Sequence, residues 1–238
     1  QYDIVGFDER GVGNSEPIRC LSDKAEDDFI NQDSKVEKFS DLAKLVKTTQ
    51  FFANACQTAA GKKLGHVSTL EAAKDMDILR NLLGESKLNF LGKSYGTYLG
   101  TIYISLFPSK VGRFVLDGAV DPNISLRDQN LSQAAGFEKA LDDYLKVNSE
   151  FTKTDIQKFI ETSGKSPIAD KQGRKLSRSL LITAIAAALY DNSLGWQTLK
   201  NGLHQGIKKG NPKLLFLLAD AYNNRDSNGH YYNNENDI

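Results

Sequence analysis

The five residues Gly92-Lys93-Ser94-Tyr95-Gly96 constrain this chain more tightly than any other stretch of it. A short apolar run, Leu88 to Leu91, precedes them with the pattern of a strand. A helical pattern follows from about Tyr95 to Phe107, stopped by Pro108, and a second strand is expected over Phe114 to Asp117. Strand, helix and strand at this spacing require a crossover and hence a parallel sheet. In a G-x-S-x-G turn between strand and helix, the bend is so tight that the flanking positions must be small, and the serine is lifted above the sheet. Gly92 and Gly96 are thus steric requirements of the turn, and Ser94 is the candidate nucleophile. Tyr95, at the start of the helix, would offer its backbone N–H to a developing oxyanion. An ordinary Gly-rich turn would leave the exposed serine unexplained.

Upstream, Tyr2 to Phe7 has the pattern of a strand, and Asp8-Glu9-Arg10-Gly11-Val12-Gly13-Asn14-Ser15 that of a loop, with Arg10 expected to tie the loop through carboxylate or carbonyl bonds. Ser68-Thr69-Leu70-Glu71 has capping-box spacing and opens a helix whose inner face is Ala72, Met76, Leu79 and Leu83, with Gly84 as its stop. From about residue 122 the texture changes to successive helical patterns: Leu131 to Val147, Thr154 to Ser163, Ser177 to Tyr190, Leu194 to Lys209, and Pro212 to Tyr222 behind Asn211. No strand is expected among them, and Asn223 to Ile238 is expected to be a loop or frayed. Residues 1–121 therefore form a partial α/β core carrying the turn, and residues 122–238 a helical region.

Lys+Arg and Asp+Glu both total 30, so no global field draws the chain to nucleic acid or an anionic membrane. The longest apolar run, Leu180 to Tyr190, is well short of the roughly 20 residues a membrane span needs and is read as a buried helix. No basic segment with an apolar stretch opens the chain, so any targeting segment would lie upstream of residue 1. Cys20 and Cys56 are either a disulfide in an exported protein or two free thiols in a cytosolic one. Without a C-x-x-C or His-rich cluster, no metal site is expected.

Three motifs in order, Asp8 to Ser15, Gly92-Lys93-Ser94-Tyr95-Gly96-Thr97-Tyr98-Leu99-Gly100, and Val115-Leu116-Asp117-Gly118-Ala119-Val120-Asp121-Pro122, together resemble the prolyl and tripeptidyl aminopeptidase group of α/β-hydrolases, in particular the secreted enzymes of actinobacteria. The likeness is good over residues 2–122 and weak beyond. It implies the α/β-hydrolase fold, a parallel sheet with a nucleophile elbow, plus an α-helical cap over residues 122–238. It also implies a serine exopeptidase that releases tripeptides or single residues from a free N-terminus through an acyl-enzyme on Ser94, without a cofactor. Cys20 and Cys56 fall where exported relatives carry cysteines, which implies a disulfide and an extracellular or envelope location. An esterase, or a non-catalytic module derived from a hydrolase, is the alternative.

Complete members of that group carry strands and a Gly-rich oxyanion loop ahead of the position of Tyr2, and place the catalytic acid and histidine after the cap. The resemblance therefore implies a chain cut at both ends, with acid and base elsewhere in the same protein. His66, His204 and His230 are expected to be surface or packing residues, and Asp117 and Asp121 to shape the turn into the cap. Lys93 is expected to face solvent. Phe51, Phe52, Tyr98 and Tyr103 are expected in the core, with Trp196 as a candidate pocket residue. The substrate ammonium needs acidic partners, for which Glu138, Asp142, Asp143 and Asp220 are candidates.

Overall fold

The computed structural model describes residues 3–232. The helices are α1 (Asp23–Ile30), α2 (Phe39–Ala60), α3 (Thr69–Leu82), α4 (Tyr95–Leu106), α5 (Leu126–Val147), α6 (Lys153–Lys165), α7 (Arg178–Leu189), α8 (Leu194–Lys209) and α9 (Lys213–Tyr222). The strands are β1 (Leu88–Lys93), β2 (Val111–Asp117), β3 (Ile168–Ala169) and β4 (Lys175–Leu176). Two compact units result: residues 3–19 with 56–132, and residues 20–55 with 133–232.

In the first unit β1 and β2 pair in parallel, Phe90 opposite Phe114 and Lys93 opposite Asp117, with α4 as the crossover. The register shifts between Leu88 and Phe90, where the Asn89 side chain accepts the Arg113 N–H at 2.9 Å. Strand alternation sends Phe90 and Phe114 to the side where α4 and α3 pack, around Ala72, Ala73, Met76, Leu99 and Tyr103. Leu91 and Val115 point the other way and are 62% and 59% exposed. Tyr103 is fully buried and its hydroxyl donates to Asp77 Oδ1 at 2.9 Å. Burial pushes that hydroxyl up to about 12. Arg80 bridges Asp77 and the Glu85 carbonyl, which ties off the end of α3.

The second unit is helical, and α7 is its axis. Leu180, Leu181, Ala184, Ile185 and Ala188 are buried between α6, α8 and α9. Gly202 and Gly206 on α8 leave room for Leu215 of α9, since a Cβ at either would stand 3.1 or 3.0 Å from it. Arg174 pairs with Asp220 at 2.5 Å and lies over the Phe216 ring.

Several expectations are corrected. No strand forms over Asp3–Phe7, and Tyr2 lies outside the described residues. A strand needs a hydrogen-bonded neighbour, and β1 and β2 pair with each other alone among the described residues, leaving Ile4 96% exposed. The capping box is half formed: Ser68 accepts the Glu71 N–H at 3.4 Å, while the Glu71 carboxylate turns to Lys74. Leu83 and Phe51 are exposed rather than buried. The helices α1 and α2 and the β3–β4 hairpin were not expected. The described part of the tail is a loop, the first of the two expected forms, held where Arg225 and the Tyr231 hydroxyl converge on Asp27 at 2.8 Å. Both cysteines are buried and disulfide-bonded.

Candidate active site

The backbone of Ser94 has φ 51° and ψ −117°, a region that an L-residue enters only under constraint. Three contacts supply that constraint. The Ser94 N–H donates to the Asp117 carbonyl at 2.9 Å, which fastens the turn to the end of β2. Thr97, 1% exposed, donates its hydroxyl to the Ser94 carbonyl at 2.7 Å and accepts the Val120 N–H at 2.9 Å. Gly92 is required by space, since a Cβ there would stand 2.6 Å from the Gly96 carbonyl carbon. A Cβ on Gly96 meets nothing outside its own helix, so that position is less demanding than its partner. Gly100 lets α4 lie on the sheet, where a Cβ would come within 2.9 Å of Leu116 and Phe90.

The consequence is an exposed Ser94 side chain at the junction of β1 and α4. Tyr95 is the first residue of α4, so its N–H has no carbonyl one turn behind it in the helix. The helix dipole adds partial positive charge at the same end. An anionic oxygen developing above Ser94 would meet both.

The Asp8–Ser15 loop is closed by its own side chains. Asp8 Oδ2 accepts the Asn14 N–H at 2.8 Å, and Arg10 grips Asp75 at 2.6 Å and the His66 carbonyl at 3.0 Å. Arg10 is thus the expected tie. Glu9 is the residue that sequence reasoning missed. Burial raises its carboxyl above the usual carboxylate range, partly offset by a hydrogen bond with the Tyr95 side chain. Tyr95 OH also lies 3.1 Å from Thr69 Oγ1, so the residue next to Ser94 is anchored through its ring. The only signal for this in the sequence was the position of Glu9 within the Gly-rich loop.

None of the three histidines is hydrogen-bonded to Ser94 among the described residues. The His66 ring is exposed, His204 Nδ1 meets Glu150 at 2.6 Å, and His230 Nδ1 meets Asp23 at 2.8 Å. Asp121 accepts the Asn123 N–H at 2.9 Å and shapes a turn. The candidate ammonium ligands already hold cations: Glu138 and Asp142 share Lys153, Asp143 takes Lys139 and Lys146, and Asp220 takes Arg174. Trp196 packs edge-on to Tyr144 at 5.7 Å, against the core of the helical unit. Lys93 is exposed, as expected. Among the described residues, no group of three or more His, Cys, Asp or Glu could hold a metal ion, and no helix is long and apolar enough to cross a membrane.

A family model described as the alpha/beta hydrolase fold matches residues 1–227. The chain is 38% identical, over 98% of its length, to a protein of Mycobacterium tuberculosis named serine protease Hip1. It is 42% identical, over 58% of its length, to the tripeptidyl aminopeptidase of Streptomyces lividans. A third relative, carboxylesterase B of Mycobacterium tuberculosis, is 34% identical over 98% of the chain. The matches cover 48%, 26% and 47% of those relatives, so the chain spans at most about half of their length.

Two outcomes follow from the geometry. Thr97→Val keeps the shape but leaves the Val120 N–H and the Ser94 carbonyl without their side-chain partner, and should cost about 1–3 kcal/mol in chemical denaturation. An unchanged midpoint would show that Thr97 does not hold the turn. Glu9 has a raised pKa in the folded state, so the folded state prefers it protonated; its contribution is fully present at low pH and lost as pH rises through the folded value. Glu9→Gln should therefore gain stability on the wild type as pH rises from about 4 to 8, and a pH-independent difference in thermal unfolding would refute this.

Proposed function

The chain belongs to the alpha/beta hydrolase fold family, and on that premise we propose that Ser94 is the nucleophile of a serine peptidase working through an acyl-enzyme. The observation that carries this reading is the constrained left-handed backbone of Ser94 at a strand-to-helix turn, with Gly92 required by space and the serine exposed. A general base takes the Ser94 hydroxyl proton as Oγ attacks the scissile carbonyl carbon. The carbonyl oxygen becomes an oxyanion and takes a hydrogen bond from the Tyr95 N–H. Collapse expels the amine leaving group with a proton returned by the base, and water then releases the acyl group and restores Ser94.

The base and its orienting acid lie, in this proposal, in parts of the protein outside these 238 residues. Two facts support that placement: His204 and His230 are held by Glu150 and Asp23, and the chain spans about half the length of the curated relatives it matches. In this reading residues 122–238 correspond to the cap region that the family resemblance implies. The substrate is a peptide with a free N-terminus, from which tripeptides or single residues are released, in keeping with the named activity of the Streptomyces relative. An extracellular or envelope location fits the disulfide-bonded cysteines, since reducing compartments keep thiols free. The carboxylesterase relative supports ester hydrolysis as the second reading.

The test uses the full-length protein with tripeptidyl amides, their N-acetylated forms and simple aryl esters. Free-amino substrates should be cleaved and acetylated ones refused, and Ser94→Ala should lower kcat/KM by roughly 10⁴-fold or more. Preference for esters with indifference to acetylation would favour the esterase reading. Activity that survives Ser94→Ala would overturn both.

A further inference from the structure

Tyr95 carries the amide that a developing oxyanion would meet, and its side chain is held at the far end. No side-chain cap closes the start of α4, because Ser94 at the cap position accepts no N–H through its own side chain. The first turn is instead fixed at the Ser94 carbonyl, which accepts from the Thr97 hydroxyl at 2.7 Å, and through Tyr95 itself. Tyr95 is 45% exposed, so packing alone does not fix its ring. Its hydroxyl does: it lies 3.1 Å from Thr69 Oγ1 and is hydrogen-bonded to the Glu9 carboxyl.

Both partners are anchored without help from Tyr95. Thr69 is the first residue of α3, directly behind the Ser68 cap. The Glu9 carbonyl accepts the Val12 N–H at 3.0 Å, and its neighbour Arg10 bolts the loop to Asp75 of α3 at 2.6 Å and to the His66 carbonyl at 3.0 Å. All these residues belong to the first unit. Burial raises the Tyr95 hydroxyl above its usual value, so it keeps its proton at neutral pH.

The clamp closes in either protonation state of Glu9. An ionised Glu9 accepts from Tyr95, which then accepts from the Thr69 hydroxyl; a neutral Glu9 donates to Tyr95, which then donates to Thr69. A side chain at position 9 that can donate or accept therefore preserves it, and an aliphatic one does not.

On the reading of Ser94 as the nucleophile, we propose that Glu9 and Thr69 are positioning residues that act through the Tyr95 hydroxyl to hold the Tyr95 N–H in line with the oxyanion. The oxyanion exists only after attack on the carbonyl, so the clamp acts on the chemical step and leaves substrate binding unchanged.

The experiment compares the full-length protein with Tyr95→Phe, Glu9→Leu, Glu9→Gln and the double variant Tyr95→Phe/Glu9→Leu. It reads kcat and KM on a tripeptidyl amide and the rate of fluorophosphonate labelling at Ser94. Tyr95→Phe and Glu9→Leu should each lower kcat and the labelling rate roughly 5- to 30-fold, with KM within about twofold. The double variant should be no slower than Tyr95→Phe, and Glu9→Gln should stay within about threefold of the wild type. Additive losses in the double variant, or equal losses for Leu and Gln, would mean that Glu9 acts through the loop or its charge and would overturn the proposal. Unchanged rates in Tyr95→Phe would overturn it too, and that variant removes only one oxygen from a half-exposed ring, whatever becomes of Glu9→Leu. A wild type that takes no label on Ser94 would overturn the nucleophile reading and this proposal with it, whereas a labelled wild type with indifferent variants overturns this proposal alone.

Discussion

The left-handed backbone of Ser94 is the constraint on which the first unit depends. A non-glycine residue at φ 51° costs of order 1–3 kcal/mol and persists only where its surroundings over-determine it. Here they do so from three sides. β2 holds the Ser94 N–H, the buried Thr97 hydroxyl holds its carbonyl, and Gly92 lets the Gly96 backbone come close enough to complete the bend. The parallel pairing of β1 and β2 and the descent of α4 onto Phe90 and Leu116 follow from the same turn. The strain places an exposed serine beside a helix N-terminus, where a developing anionic oxygen would meet the Tyr95 N–H.

The turn was legible in the sequence because its steric requirement at Gly92 is local. Gly92, Ser94 and the periodicities on either side suffice to locate it, although a Cβ at Gly96 would meet nothing outside its own helix and the contacts to Asp117 and Val120 that hold the turn are not local. Helices α7 and α8 were legible for the same reason, and Leu194–Lys209 has the expected bounds. Where partners decide the outcome, local pattern was misleading. Asp3–Phe7 alternates like a strand yet lacks a ladder neighbour among the described residues, and stays without regular structure and exposed. The sequence of α1, DKAEDDFI, is dominated by acids, and its stability comes from the Ser22 cap and from Asp27 meeting Arg225, nearly two hundred residues away. α2 buries only Cys56, so its apolar residues never form the inward stripe that marks a helix in sequence.

The site shows the same division. Ser94, Tyr95, Gly92 and the Arg10 tie could be named from motif and spacing. Glu9 could not, because its raised pKa arises from burial in the folded chain, which the hydrogen bond with Tyr95 only partly offsets. The candidate ammonium ligands Glu138, Asp142, Asp143 and Asp220 are each paired with a cation of the chain itself. A carboxylate in sequence carries no sign of its neighbour, and Lys153, Lys139, Lys146 and Arg174 have already taken these four.

The central claim is that Ser94 is the reactive atom's residue, and an active-site-directed label tests it most directly. The full-length protein would be treated with a fluorophosphonate and the adduct located by peptide mass spectrometry. The account predicts a single stoichiometric adduct on Ser94, formed in step with loss of hydrolysis. An adduct on a different serine, or undiminished hydrolysis with no adduct on Ser94, would contradict it.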